Sequence, residues 1–247
     1  MRLNQRLVLV TLLAAFIAAA QSSAIAAPRK VVLIAGSKSH GPEGNRIHDY
    51  PWSVRLLKTM LENSNIRDQV EAVTYFNGWP NDPAALEDAD TVMIISDGRD
   101  GESGGEAPHL ATPERVQIVD RLMKRGCGIM TFHFSTFAPD ALADSALDWY
   151  GGYFDWETDG KRAWYSKIET KDAEVSPGTP GHPVLTGVSR FTMREEFYFD
   201  IRFRPDDPRW KPIWKVDALP ATKPNGNVVA WAVERADGGR GFATTCG

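Results

Sequence analysis

Apolar residues form nearly continuous runs in the first half of the chain and looser alternation in the second. Residues 30–36 (KVVLIAG), 91–96 (TVMIIS) and 127–134 (CGIMTFHF) are short apolar runs closed by glycine or a polar loop, and residues 70–76 add a more mixed one. Runs of this length and β-branched content fit strands covered on both faces of a parallel sheet. Helical spacing separates them. Val54, Leu57 and Leu61 share a face, with Leu56 and Met60 beside it; Asp49 or Tyr50 precedes that helix, Pro51 fits its first turn and Asn63-Ser64 ends it. Thr112-Pro113-Glu114 supplies the cap, proline and acid of a second helix, whose buried face is Val116, Val119, Leu122 and Met123 and whose stop is Gly126. Residues 82–88 read as a short helix or turn. Strand and helix alternating at this spacing predict right-handed βαβ units, and therefore an α/β fold with a mainly parallel sheet.

After Gly151 the texture changes. Residues 162–170 read as a solvated strand and 174–181 as a Pro/Gly-rich loop. Further strands are expected over 195–204, 212–216, 228–234 and 241–245. No repeat and no long linker interrupts the chain, so residues 28–247 are expected to form one α/β domain.

The N-terminus reads as an address. Arg2 and Arg6 precede an apolar run from Leu7 to Ala20, and small residues at Ala24, Ala26 and Ala27 offer a cleavage site. The run is shorter than the roughly 20 residues a bilayer span needs. Residues 1–27 are therefore expected to be a signal peptide, with an uncleaved N-terminal anchor as the alternative, and the mature protein to be periplasmic or secreted and free of the membrane. Losing Arg2 and Arg6 would take the net charge from −4 to −6. A mildly acidic chain without a concentrated basic patch is not a nucleic-acid binder. With 43% hydrophobic and 24% charged residues it is not a disordered chain either. A domain that handles small molecules or protein partners remains, and a homo-oligomer is compatible with this composition. Cys127 and Cys246 form no CxxC pair, so a zinc ribbon is excluded, and their distance in sequence implies no disulfide.

In an open α/β sheet, ligands bind beyond the carboxyl ends of the strands. That rule selects His40, Glu43, His48 and Asp49 after the first strand. It selects Asp97, Arg99, Asp100, Glu102 and His109 after the third, and His133 with Ser135 at the end of the fourth. His133 closes an otherwise apolar strand, and its alternative is a core histidine satisfied by a backbone carbonyl. The corner lacks the Gly-flanked pattern of a hydrolase nucleophile, so Ser135 is a poor candidate. Cys127 lies six strand residues, roughly 20 Å, away. On the 195–198 stretch (EEFY), alternation puts Glu196, not Glu195, on the same side as Tyr198. Trp79, Trp149 and Trp156 stand in loop-like contexts where an indole can stack on a sugar. There is no P-loop and no GxGxxG, which argues against nucleotide binding.

Taken in order, the VVLIAG strand, Ser39-His40-Gly41-Pro42 with His48-Asp49, Ser96-Asp97-Gly98, the GCGIMTFHF strand, His182-Pro183-Val184 with Gly187, and Glu195-Glu196-Phe197-Tyr198 resemble the ThuA-like (trehalose-utilisation) family. The resemblance covers most of residues 30–247. It implies a flavodoxin-like three-layer sandwich of the class I glutamine amidotransferase type, without the amidotransferase cysteine. It also implies carbohydrate catabolism, with 3-keto sugars or keto-glycosides as substrates, and a pocket of His40, His48, His133 and Glu196. Family members continue past a strand like 241–245 into a Gly-x-His segment and a further helix, whereas this sequence ends at Gly247.

The resulting expectation is an exported hydrolase or lyase acting on a sugar or 3-keto-glycoside by acid/base or metal-assisted chemistry. His133 and Glu196 are its acid/base groups, and His40, His48, Asp97, Arg99 and Tyr198 position the substrate. A divalent ion, zinc or manganese, suits neutral imidazoles and a carboxylate, although no fixed ligand spacing marks the sequence. The alternative from another class is a non-catalytic carbohydrate-binding or interaction module on the same scaffold.

Overall fold

The structure is a computed structural model that describes residues 27–99, 110–158, 161–163 and 165–247. The proposed leader, apart from Ala27, lies outside these residues, as do Asp100, Glu102 and His109. The first half holds β1 (Arg29–Ala35), α1 (Tyr50–Glu62), β2 (Val70–Tyr75), β3 (Thr91–Ile95), α2 (Pro113–Lys124), β4 (Gly128–Phe132) and α3 (Ala143–Trp149). After a two-residue pair, β5 (Glu157–Thr158) and β6 (Lys161–Arg162), come β7 (Lys167–Pro177), β8 (Phe191–Phe199), β9 (Trp210–Lys215), β10 (Val228–Glu234) and β11 (Arg240–Thr244).

Nine strands form one sheet in the order β2-β1-β3-β4-β11-β10-β9-β7-β8. β2, β1, β3, β4 and β11 run parallel to one another, and the remaining pairings, from β11–β10 onward, are antiparallel. The 2-1-3-4 order is the doubly wound flavodoxin arrangement, whose switch point lies between β1 and β3. Alternation sorts the core into two layers. Leu33, Ala35, Met93 and Ile95 pack beneath α1 through Tyr50 and Val54. Val32, Ile34, Val92, Ile94 and Ile129 face the other way, onto Ile118, Val119, Leu122 and Met123 of α2 and Trp149 of α3. The predicted α/β sandwich is the observed fold.

Two local expectations need correction, and one helix is added. Residues 174–177 are strand, not loop: Val175 pairs with Phe191 and is buried, so the alternation begun at Lys167 runs on through the proline. The helix over Ala143–Trp149 has a short apolar face, Ala146 and Trp149, too brief for periodicity to reveal. β3 runs between β1 and β4. Trp149 is core rather than a sugar platform.

β8 pairs along its whole length with Lys167–Val175 of β7, and β7 joins β9 only at Ser176 and Pro177. The hairpin therefore folds back over the sheet, burying Phe197 and Phe199 against Val216 and Val229. That fold-back presents Glu196 and Tyr198 to the end of β4. Among the described residues no helix is long and apolar enough to cross a membrane.

Candidate functional site

The carboxyl ends of β1, β3 and β4 meet in one cluster. Two glycines allow it. A Cβ on Gly36 would lie 2.7 Å from the Cβ of Ser96, and one on Gly98 would lie 2.0 Å from the Phe134 carbonyl oxygen. The loop after β1 can therefore close onto β3, and the loop after β3 onto the turn after β4. His40, His48 and His133 all adopt left-handed backbone, with φ of 57°, 46° and 48°. Such conformations cost a non-glycine residue on the order of 1 kcal/mol or more and concentrate at functional sites. At His133 the bend ends β4 abruptly and turns the chain into a short 3-10 segment, His133–Thr136. This is a strand-end elbow carrying histidine instead of a nucleophile. Ser135 serves the elbow as a brace: fully buried, its Oγ accepts the Phe132 N–H at 2.8 Å and lies 3.0 Å from the Ile94 carbonyl. Its hydroxyl is unavailable for attack.

On one side of the cluster stands Asp97. Ser39 Oγ and Tyr50 Oη donate to its Oδ1 at 2.7 and 2.5 Å. Burial pushes the carboxyl up, but the nearby His48 ring and the hydrogen bonds from Ser39 and Tyr50 outweigh it and hold Asp97 below the usual carboxylate range. Both hydroxyl protons are thereby committed. Ser39 Oγ must then accept from His40 Nδ1 at 2.7 Å, and Tyr50 Oη from His48 Nδ1 at 2.9 Å. On the other side, His133 Nδ1 lies 2.7 Å from the Thr245 carbonyl, which can only accept. All three imidazoles accordingly carry the proton on Nδ1, and their Nε2 atoms hold the lone pairs.

His133 Nε2 is 2.8 Å from Tyr198 Oη and 3.5 Å from Glu196 Oε2, and Tyr198 Oη lies 3.3 Å from the same carboxylate oxygen. The His133 ring at 3.5 Å and the Tyr198 hydroxyl hold the Glu196 carboxyl below the usual range, against the effect of partial burial. Burial and the Glu196 charge push the Tyr198 phenol well up, so it stays protonated. Neighbouring Glu195 is raised by burial. The three rings are in contact: His40 to His48 is 4.1 Å and His48 to His133 is 5.1 Å between centroids, with Phe134 against both loop histidines.

The structure thus gathers His40, His48, Asp97, His133, Glu196 and Tyr198. Arg99 follows on the Asp97 loop, where its backbone N–H donates to Phe137 O. His182 instead caps a short 3-10 segment through Val184 N. Sequence reasoning missed Tyr50, Ser39 and the Thr245 carbonyl as site groups. For the two hydroxyls a signal existed: each stands within two residues of a loop histidine. Cys127 sits just before β4, at the opposite end from the cluster, and burial raises its thiol. Burial likewise pushes the Cys246 thiol up to about 12, and both cysteines are free.

The sequence matches the family described as ThuA, trehalose utilisation, over residues 38–247. The chain belongs to the ThuA family. Solved structures agree at the level of fold. A protein named as ThuA-like from Parabacteroides merdae superposes with a TM-score of 0.60 at 15% identity, covering 88% of this chain and 79% of its own. A second, from Bacteroides uniformis, gives 0.57 at 13%, covering 92% and 85%. No curated protein matches the sequence significantly.

Proposed function

We propose that this ThuA-family chain is an exported protein of carbohydrate utilisation that acts on a sugar or 3-keto-glycoside, as a hydrolase or lyase, by acid/base or metal-assisted chemistry. One observation carries the reading: His133 Nε2, Tyr198 Oη and Glu196 Oε2 lie within 3.5 Å of one another, with the far side of the imidazole anchored on Thr245 O. In this reading the buried imidazole and half-exposed carboxylate exchange a proton with substrate, while Tyr198 relays or donates one. A ring carbonyl acidifies the neighbouring C–H, which suits an imidazole–carboxylate base. His40, His48, Asp97 and Arg99 orient the sugar.

The test is a screen of glycosides and their 3-keto derivatives with wild type and His133→Ala. Turnover confined to wild type supports the assignment. Sugar binding without turnover in both hands the site to the non-catalytic alternative. Export is tested separately: the protein isolated from its native host should begin near Ala27 or Pro28, and a retained Met1 in the cytosol would refute it.

A further inference from the structure

Two groups of three side chains place potential ligand atoms within 4.8 Å of one another: His40, His48 and Asp97, and His48, His133 and Glu196. The proton positions separate them. In the first group, Asp97 Oδ1 already accepts two hydroxyls, and the imidazole nitrogens nearest it are His40 Nδ1 at 3.9 Å and His48 Nδ1 at 3.5 Å. Both of those nitrogens carry protons and point them at Ser39 and Tyr50. A cation there would have to break the whole network.

In the second group the lone pairs are available. The Thr245 carbonyl takes the His133 Nδ1 proton, so Nε2 faces Glu196 Oε2 at 3.5 Å. Two ligand bonds of about 2.0–2.1 Å at a tetrahedral angle place their donor atoms about 3.3–3.4 Å apart. The pair is therefore close to ligating distance already. His48 spends its Nδ1 proton on Tyr50, which leaves Nε2 as its ligand atom. Tyr198 Oη, now on His133 Nε2, has Glu196 Oε2 at 3.3 Å as a second acceptor and can give the nitrogen up.

We propose that His48, His133 and Glu196 bind one divalent transition-metal ion of the zinc class. Asp97, Ser39, Tyr50 and the Thr245 carbonyl then hold the imidazoles in the ligating tautomer. Two histidines and one glutamate with a fourth position left open is a donor set that catalytic zinc uses, and orientation of a ligating imidazole through its other nitrogen is the usual support. The open position would take a water or a sugar oxygen. The inference rests on the metal-assisted branch of the reading above: the ion takes up the lone pairs of His133 and Glu196 in place of a proton, and the chemistry passes to the water or sugar oxygen at its open position.

Calorimetric titration of the chelator-stripped full chain with zinc chloride tests it. Wild type should bind one ion per chain. Glu196→Gln, at a half-exposed position that leaves the fold intact, should weaken binding by more than about 100-fold, and Asp97→Asn by about 10–100-fold through loss of ligand orientation. His133→Asn, which tolerates the left-handed backbone, should behave like Glu196→Gln. His40→Ala, which removes no proposed ligand, should bind zinc more tightly than Glu196→Gln. The proposal fails if wild type takes up no zinc. It fails equally if His40→Ala abolishes uptake while Glu196→Gln retains it, since the ion would then sit on the first group. Full turnover after stripping would overturn the metal and leave the acid/base function standing. Stoichiometric zinc on the predicted ligands without turnover of any glycoside would keep the metal site and overturn the function.

Discussion

The two ends of β4 use polar side chains in opposite ways. At the amino end, Arg235 is buried, and its guanidinium donates to Cys127 O at 2.6 Å, Met123 O at 3.3 Å, Trp149 O at 3.5 Å and Asp237 Oδ2 at 3.1 Å. Its hydrogen bonds tie the end of α2, the start of β4 and the end of α3 together. At the carboxyl end, His133 is equally buried, but only its Nδ1 is fixed on backbone; Nε2 faces a phenol and a carboxylate that can each trade protons. Saturated hydrogen bonding makes a brace. An imidazole fixed on one nitrogen and open on the other makes a reactive group, and its left-handed φ of 48° is a cost that bracing does not need.

The strongest way to break this contrast is His133→Ala. Loss of a general acid or base typically costs about 10²–10⁴-fold in rate. Turnover in the glycoside screen should drop by that range while circular dichroism shows a folded protein. Arg235→Met is the mirror experiment. It strands several buried carbonyls at about 1–3 kcal/mol for each group left unsatisfied. Chemical denaturation should show the loss, and turnover per folded molecule should be unchanged. Cys127→Ala, also at the amino end, should cost about 1 kcal/mol and leave turnover near wild type. If Cys127→Ala abolished activity and His133→Ala spared it, the assignment of the ends would be reversed.

The smallest effect sharpens the carboxyl end. Asp97 is held below the usual carboxylate range by hydrogen bonds that outweigh its burial, so its ionised form stabilises the native state. That contribution is complete above the unfolded value of about 3.9 and fades as pH falls through the lower folded value. The melting temperature of Asp97→Asn should therefore lie below wild type at neutral pH. The gap should narrow below about pH 4. A gap independent of pH would mean that Asp97 acts through packing alone.

Much of the parallel half was legible in the sequence because burial on both faces writes itself locally. β1, β3 and β4 appear as apolar runs ending at Gly36, Ser96 and His133, and the switch-point rule then picks the right loops. The strand neighbours were not legible. His40 and His48 reach His133 across the end of β3 because glycines at 36 and 98 let the loops close, a matter of contact between segments and not of periodicity. The parity of Glu196 and Tyr198 could be read from alternation. Their destination could not: by sheet order β8 stands five positions from β4, roughly 24 Å in a flat sheet.

By itself the sequence determined the α/β scaffold, its family, and the set of histidines and carboxylates at the strand ends. Those features depend on residues a few positions apart, where the periods of strand and helix act. Only the tertiary structure decided that the β7–β8 hairpin folds back, that Glu196 meets His133, and which imidazole nitrogen holds each proton. The partner that fixes the His133 tautomer, the Thr245 carbonyl, lies 112 residues away. A backbone carbonyl is the same at every residue, so its position along the chain carries no sequence signal, and it acts only where folding brings it within hydrogen-bond reach.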